Sequence, residues 1–224
     1  MRTEADDPLC IDAGLAADLL ASLPWQRLVV LGDSVTAGVM DPLPGYATRS
    51  FADRLSDALA ATRPDFESRN LAHPFLRIAE IRDRQLGPAI AFAPDVALVS
   101  AGGNDAFEGL DAAGIRRGLE QLLRPLVASG ILPVTIGLFD LARSGLVRPS
   151  SAAALARRFD ELDRVTADLV RELGGVHVDT HHHPAAADPG IFAADRVHAN
   201  ARGHAIAFAA IVETLAEESP ARIA

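Results

Sequence analysis

The chain of 224 residues contains no lysine; all 21 of its basic side chains are arginine. That absence excludes lysine Schiff-base chemistry, pyridoxal phosphate attachment and a P-loop lysine together. A single cysteine, Cys10, excludes an intramolecular disulfide, and no cysteine cluster exists to hold zinc. Apolar runs are short. None approaches the roughly 18 residues that cross a bilayer, so no membrane span is expected. The first residues, Met1-Arg2-Thr3-Glu4-Ala5-Asp6-Asp7, lack the basic start and apolar stretch of a secretory signal, so a soluble, cytoplasmic protein is expected. Positive charge is also short: the net charge of −9 argues against tracking a nucleic-acid backbone. What is present, 49% hydrophobic residues with 23% charged, suffices for one α/β domain with a full core.

Short apolar runs alternate with segments of helical period. Leu28–Leu31, Phe66–Leu71, Val96–Ser100, Leu132–Ile136 and Val176–Val178 are each bounded by turn-forming or polar residues, as expected of buried parallel strands. Between them lie amphipathic segments marked by Phe51, Leu55, Ala58 and Leu59, by Leu119, Leu122, Leu123 and Leu126, and, after Pro149, by Phe159, Leu162, Val165 and Leu169. A last helix is expected from about Asn200, carrying Ile206, Ile211, Val212 and Leu215. Pro125 falls inside a helical segment, which predicts a kink or a late start there. Residues 1–26 read as an N-terminal extension with a short helix between 9 and 23, packed outside the sheet, and 27–224 as the main domain. The alternation predicts a parallel sheet covered by helices on both faces.

In such a sheet, functional groups gather beyond the carboxyl ends of the strands. Ser34 follows the first strand, Asn104 the third, and His198 the last after a long loop, so all three should emerge on one edge. Each alone has a plain reading: Ser34 as a helix cap, Asn104 and Asp105 as turn formers, His198 as a surface histidine. Together their chemistry is complementary. A serine hydroxyl needs a base, which His198 can supply, and Asp195, three residues upstream, can fold back to fix the other imidazole nitrogen. The Asn104 amide and the Ser34 main-chain N–H suit the developing oxyanion.

Three blocks of sequence carry a resemblance: Leu31-Gly32-Asp33-Ser34-Val35-Thr36-Ala37-Gly38, Gly102-Gly103-Asn104-Asp105 and Asp195-Arg196-Val197-His198. From residue 27 onward the chain resembles the SGNH (GDSL-type) hydrolases. The resemblance implies a flavodoxin-like three-layer α/β/α fold with a five-stranded parallel sheet. It also implies ester hydrolysis through an acyl-enzyme, without a cofactor, on a small-molecule acyl ester. It makes Ser34 the nucleophile, His198 and Asp195 its partners, and Asn104 an oxyanion donor. One block departs. The family places a glycine five residues after an asparagine, its N–H being the third oxyanion donor, whereas Asn70-Leu71-Ala72-His73-Pro74-Phe75 has Phe75 there. The Phe75 N–H survives, but a phenylalanine resists positive φ and its ring should intrude on the pocket.

Among the remaining histidines, His73 lies near the presumed hole and is a candidate substrate contact, while His204, in the last helix, reads as structural. His181-His182-His183 invites a metal reading, but adjacent side chains in a loop rarely converge on one ion, and only Asp179 and Asp188 lie near enough in sequence to help, so no metal is expected. Arg143 and Arg148 could meet an anionic substrate, or simply form a solvated loop face. The absence of a Gly-x-Ser-x-Gly elbow weighs against an α/β-hydrolase, and the absence of a Gly-x-Gly-x-x-Gly or Walker loop against a nucleotide binder. A catalytically weak relative that binds an acylated ligand, a carbohydrate O-deacetylase and a thioesterase stay open as alternatives. Specificity is expected to reside in loops 38–50, 72–78, 105–112 and 138–150.

Overall fold

A computed structural model describes residues 2–218. Five strands, β1 (Arg27–Gly32), β2 (Glu67–Asn70), β3 (Val96–Ser100), β4 (Leu132–Ile136) and β5 (Val176–Val178), form one parallel sheet in the order β2-β1-β3-β4-β5. Order reverses between β1 and β3, and a crevice opens there beyond their carboxyl ends, as in flavodoxin-like sheets.

Side-chain alternation along the strands divides the core. Leu28, Val30, Leu98, Val134, Ile136 and Val178 face the layer built from α1 (Ala13–Leu20), α2 (Phe51–Ala61) and α8 (Ala201–Glu217). Val29, Leu31, Ala97 and Val99 face the opposite layer. That layer holds α3 (Ile78–Ile81), a π-helical turn (Arg82–Leu86), α4 (Gly87–Phe92), α6 (Ala112–Ala128) and α7 (Pro149–Glu172). The short α5 (Gly103–Glu108) sits at the strand ends.

The helix boundaries have local causes. The Asp12 side chain accepts the N–H groups of Gly14 and Leu15 to start α1, and Ser50 caps Asp53 in α2. Pro149 opens α7 at its first position, where no hydrogen bond is lost. Asn200 accepts from Arg202 and Gly203 to open α8 where the sequence places it.

Two expectations are corrected. The segment around β2 is not a buried strand: Glu67, Ser68, Arg69 and Asn70 are all exposed, because β2 is the sheet edge and pairs only with β1. Its charged side chains discourage edge-to-edge pairing. Pro125 does not delay α6, which starts at the Asp111 cap and runs through the proline. The carbonyl that Pro125 leaves without a donor belongs to Gln121, an exposed residue whose carbonyl water can serve. The N-terminal helix does pack outside the sheet, on α2 and α8, yet Ala16, Leu20, Leu23 and Trp25 share the apolar cluster of β1, α2 and α8. Asp7, buried, accepts from the Arg202 Nε at 2.6 Å and from the Tyr46 hydroxyl at 2.7 Å, tying the first residues to α8. Among the described residues, no helix is long and apolar enough to cross a membrane.

Candidate active site

At the end of β1 the chain must turn sharply beside β3. A Cβ on Gly32 would lie 2.3 Å from the Ser100 carbonyl oxygen, and its φ of +143° is one side chains rarely adopt, so only glycine fits. The buried side chain of Gln85 braces this point from both sides. It accepts the Gly32 N–H and donates to the Gly32 carbonyl, each at 2.8 Å. The Ala37 N–H then bonds the Asp33 carbonyl at 2.9 Å, and the Asp33 carboxylate accepts the Val35 N–H at 3.0 Å. These bonds hold Ser34 at the turn, its hydroxyl facing the crevice.

The loop after β5 delivers the partners. Phe192 bridges Ala199, and the Ala193 N–H bonds the His198 carbonyl, so residues 193–198 form a closed loop just before α8. Within it Arg196 takes φ +60°. This turn folds Asp195 back, and one oxygen accepts the N–H groups of Val197 (2.9 Å) and His198 (3.0 Å) while the other meets His198 Nδ1 at 2.6 Å. With Nδ1 protonated toward the carboxylate, Nε2 accepts the Ser34 hydroxyl at 2.7 Å. Partial burial raises the Asp195 pKa, but the His198 bond and the two N–H groups outweigh it and hold the carboxyl below its usual range. Three residues predicted from two distant blocks of the sequence thus lie in one hydrogen-bonded chain.

The oxyanion candidates surround Ser34 unequally. The main-chain N–H groups of Ser34 and Phe75 make no hydrogen bond among the described residues. The Asn104 amide nitrogen, by contrast, uses both of its hydrogens, on the Leu76 carbonyl at 2.9 Å and on Asp33 Oδ2 at 3.3 Å. The longer bond is the one able to yield to a ligand. Burial pushes the Asp33 carboxyl up to about 6, with the Val35 N–H and the nearby His198 pulling the other way. Asp33 therefore positions Asn104, a role its place in the first block does not reveal.

Phe75 does reach positive φ, at +67°, against the expected resistance. Such a conformation costs a non-glycine residue roughly 1–2 kcal/mol. Its ring lines the cavity, as expected, but is 79% exposed and sits at the mouth without filling the interior. His73 is not brought in: it is exposed, outside the cavity lining, with Nδ1 at 3.0 Å from the Pro74 carbonyl.

The cavity measures about 460 Å³. Its buried wall includes Phe51, Phe139, Phe192 and Ala207, and Phe159 closes the other side. His204 also lines it. Its Nδ1 accepts the Phe51 N–H at 3.3 Å, its ring stacks on Phe51, and burial lowers its pKa to about 4. Phe139 falls in loop 138–150, where specificity is expected, whereas Phe51, Phe159, Phe192, Ala207 and Gln85 are not foreseen as site residues, since apolar and amide side chains carry no spacing signal of a site. Loop residues Arg143 and Arg148 lie outside the lining.

The three adjacent histidines part company. His181 is buried between Asp160 and the Leu138 carbonyl, His182 pairs with Asp179, and His183 accepts the Ala185 N–H at the start of a 3-10 turn. Two groups, Asp140, Asp160, His181 and Asp163, Asp179, His182, bring ligand atoms within 4.8 Å of one another. In each the histidine already bonds a carboxylate of the same group.

The sequence matches the GDSL-like lipase/acylhydrolase family model over residues 30–206. No curated protein matches it. Among solved structures, the acetylxylan esterase Axe2 from Geobacillus stearothermophilus is 19% identical, with a TM-score of 0.67 over 87% of this chain and 95% of that one. TesA is 20% identical, at 0.66 over 85% and 98%. The lipase Lip_vut3 from a goat rumen metagenome is 17% identical, at 0.67 over 84% and 96%. At these identities the likeness is one of fold.

Proposed function

This chain belongs to the GDSL-like lipase/acylhydrolase family and is a carboxylic ester hydrolase, and we propose that it works through an acyl-enzyme formed on Ser34. The observation that carries this reading is the hydrogen-bonded chain Ser34–His198–Asp195, at 2.7 and 2.6 Å, opening onto a cavity of about 460 Å³. His198 Nε2 takes the hydroxyl proton as Ser34 Oγ attacks the ester carbonyl. The carbonyl oxygen becomes an oxyanion facing the N–H groups of Ser34 and Phe75 and the amide of Asn104. Collapse breaks the bond to the alcohol oxygen, which takes the proton from the imidazolium. Water, deprotonated by the same Nε2, then attacks the acyl-serine, releases the acid and restores Ser34. Asp195 keeps the imidazole in the required tautomer and stabilises its charged form.

The test is hydrolysis of p-nitrophenyl esters by the purified protein and by Ser34→Ala, together with labelling by a fluorophosphonate. Ser34→Ala should lose turnover and labelling while keeping the wild-type Tm. Turnover of the variant at the wild-type rate would refute the reading.

A further inference from the structure

Phe75 is doubly unfavourable for stability. It holds a backbone conformation suited to glycine, at φ +67°, and it exposes 79% of a large apolar side chain to water. A strained residue whose ring is buried nowhere contributes little to folding, and strain retained beside reacting groups points to use. The ring does not stand alone. Phe107, Val39 and Val197 also line the cavity and are themselves exposed, so an apolar collar surrounds the mouth beside Ser34. Inside the collar the wall stays apolar, with Phe51, Phe139, Phe192 and Ala207 buried around the inner end.

Polar groups on this wall are few and already engaged. The Thr180 hydroxyl donates to the Gly137 carbonyl at 2.6 Å, and the His204 ring is bound to the main chain of Phe51 and Val39. Beyond the reacting groups and Asp33, the lining among the described residues adds one further side chain to meet a hydroxyl, Glu108 at the mouth, which already accepts from Arg77 at 3.2 Å. A sugar bound here would lose water from its hydroxyls without replacement. An alkyl chain would lose nothing and gain contact. At roughly 30 Å³ for each non-hydrogen atom, the cavity of about 460 Å³ holds about fifteen such atoms.

We propose that Phe75 is a specificity-determining residue whose ring grips the substrate, and that the ester taken here carries an apolar chain of about six to ten carbons. This rests on the serine-hydrolase reading. The chain can belong to the acid or to the alcohol, and the test separates the two.

The assay is kcat/KM for p-nitrophenyl acetate and octanoate, for ethyl and octyl acetate, and for a methyl xyloside carrying one acetate and two free hydroxyls, with wild type, Phe75→Gly, Phe75→Ala and Ser34→Ala. Wild type should favour a chain-bearing ester over its short counterpart by at least about tenfold, the worth of a few buried methylenes. Octanoate names the acid side and octyl acetate the alcohol side. Both Phe75 variants should lower that ratio by about tenfold, chiefly through KM. Phe75→Gly, relieved of strain, should keep its Tm or raise it by about 2–4 °C. The proposal is overturned by a flat chain-length profile, by the xyloside acetate as the preferred substrate, or by an unchanged ratio in both variants. An unchanged ratio with a fall in Tm for Phe75→Gly would make Phe75 structural. If Ser34→Ala stays active, the mechanism itself fails; if turnover depends on Ser34 but the profile is flat, only the chain inference falls.

Discussion

Asn104 offers the sharpest test of how the oxyanion would be held, because its amide nitrogen already spends both hydrogens inside the protein. One goes to the Leu76 carbonyl at 2.9 Å and the other to Asp33 Oδ2 at 3.3 Å. If the amide serves the reaction, the weaker Asp33 bond gives way as negative charge develops on the substrate oxygen, and the donor is aimed where it is needed. Replacing Asn104 by Ala then removes one of three donors, a loss of about 10²–10³ in kcat, or roughly 3–4 kcal/mol of transition-state stabilisation. It also removes two internal hydrogen bonds, worth about 1 kcal/mol each. At roughly 2–4 °C per kcal/mol for a chain of this size, Tm should fall by about 4–8 °C. The two losses are read separately, kcat from initial rates on a p-nitrophenyl ester well below the melting range, Tm from thermal unfolding. A purely structural asparagine predicts the second loss without the first. A variant with the expected fall in Tm but kcat within about threefold of wild type would refute the donor role and leave the hole to the main chain.

Two further outcomes follow from the same geometry. Asp195→Asn keeps an oxygen for the N–H groups of Val197 and His198 but turns an amide N–H toward His198 Nδ1, forcing the proton onto Nε2, where it blocks acceptance from Ser34. We expect kcat to fall by about 10³–10⁴ with little change in Tm; a loss under tenfold would refute the tautomer argument. His204, buried with its pKa lowered from 6.5 to about 4, is neutral in the folded chain where the unfolded chain binds a proton. Its contribution is therefore present above about pH 6.5 and lost as pH falls toward 4, amounting to about 3 kcal/mol. Urea unfolding at pH 7 and pH 4 should show that difference shrinking by about this amount in His204→Asn. An unchanged difference would place the acid lability elsewhere.

Much of this protein was legible in its residues taken in order. Parallel strands of six residues or fewer, bounded by Gly, Pro and Asp, have one workable arrangement, a sheet covered by helices on both faces, and that arrangement sends Ser34, Asn104 and His198 to one edge. Asp195 was legible for a local reason, since three residues of turn suffice to return its carboxylate to His198. The exposure of β2 was not, because edge or centre depends on strand order, which short apolar runs do not encode. The cavity was legible in part: loops 38–50, 72–78, 105–112 and 138–150 supply Val39, Phe75, Phe107 and Phe139, but Phe51 of α2, Phe159 of α7, Ala207 of α8 and Phe192 are distant in sequence and look like any core. The clamp of Gln85 on Gly32 and the engagement of both Asn104 hydrogens likewise arise between segments far apart in the chain. Phe75 divides between the two. Its presence at a glycine position is written in the sequence, but only the packed structure decides that it accepts positive φ and turns its ring outward to the cavity mouth. That choice depends on the space left around Ser34 once the loops have closed, and packed volume is a property no single segment carries.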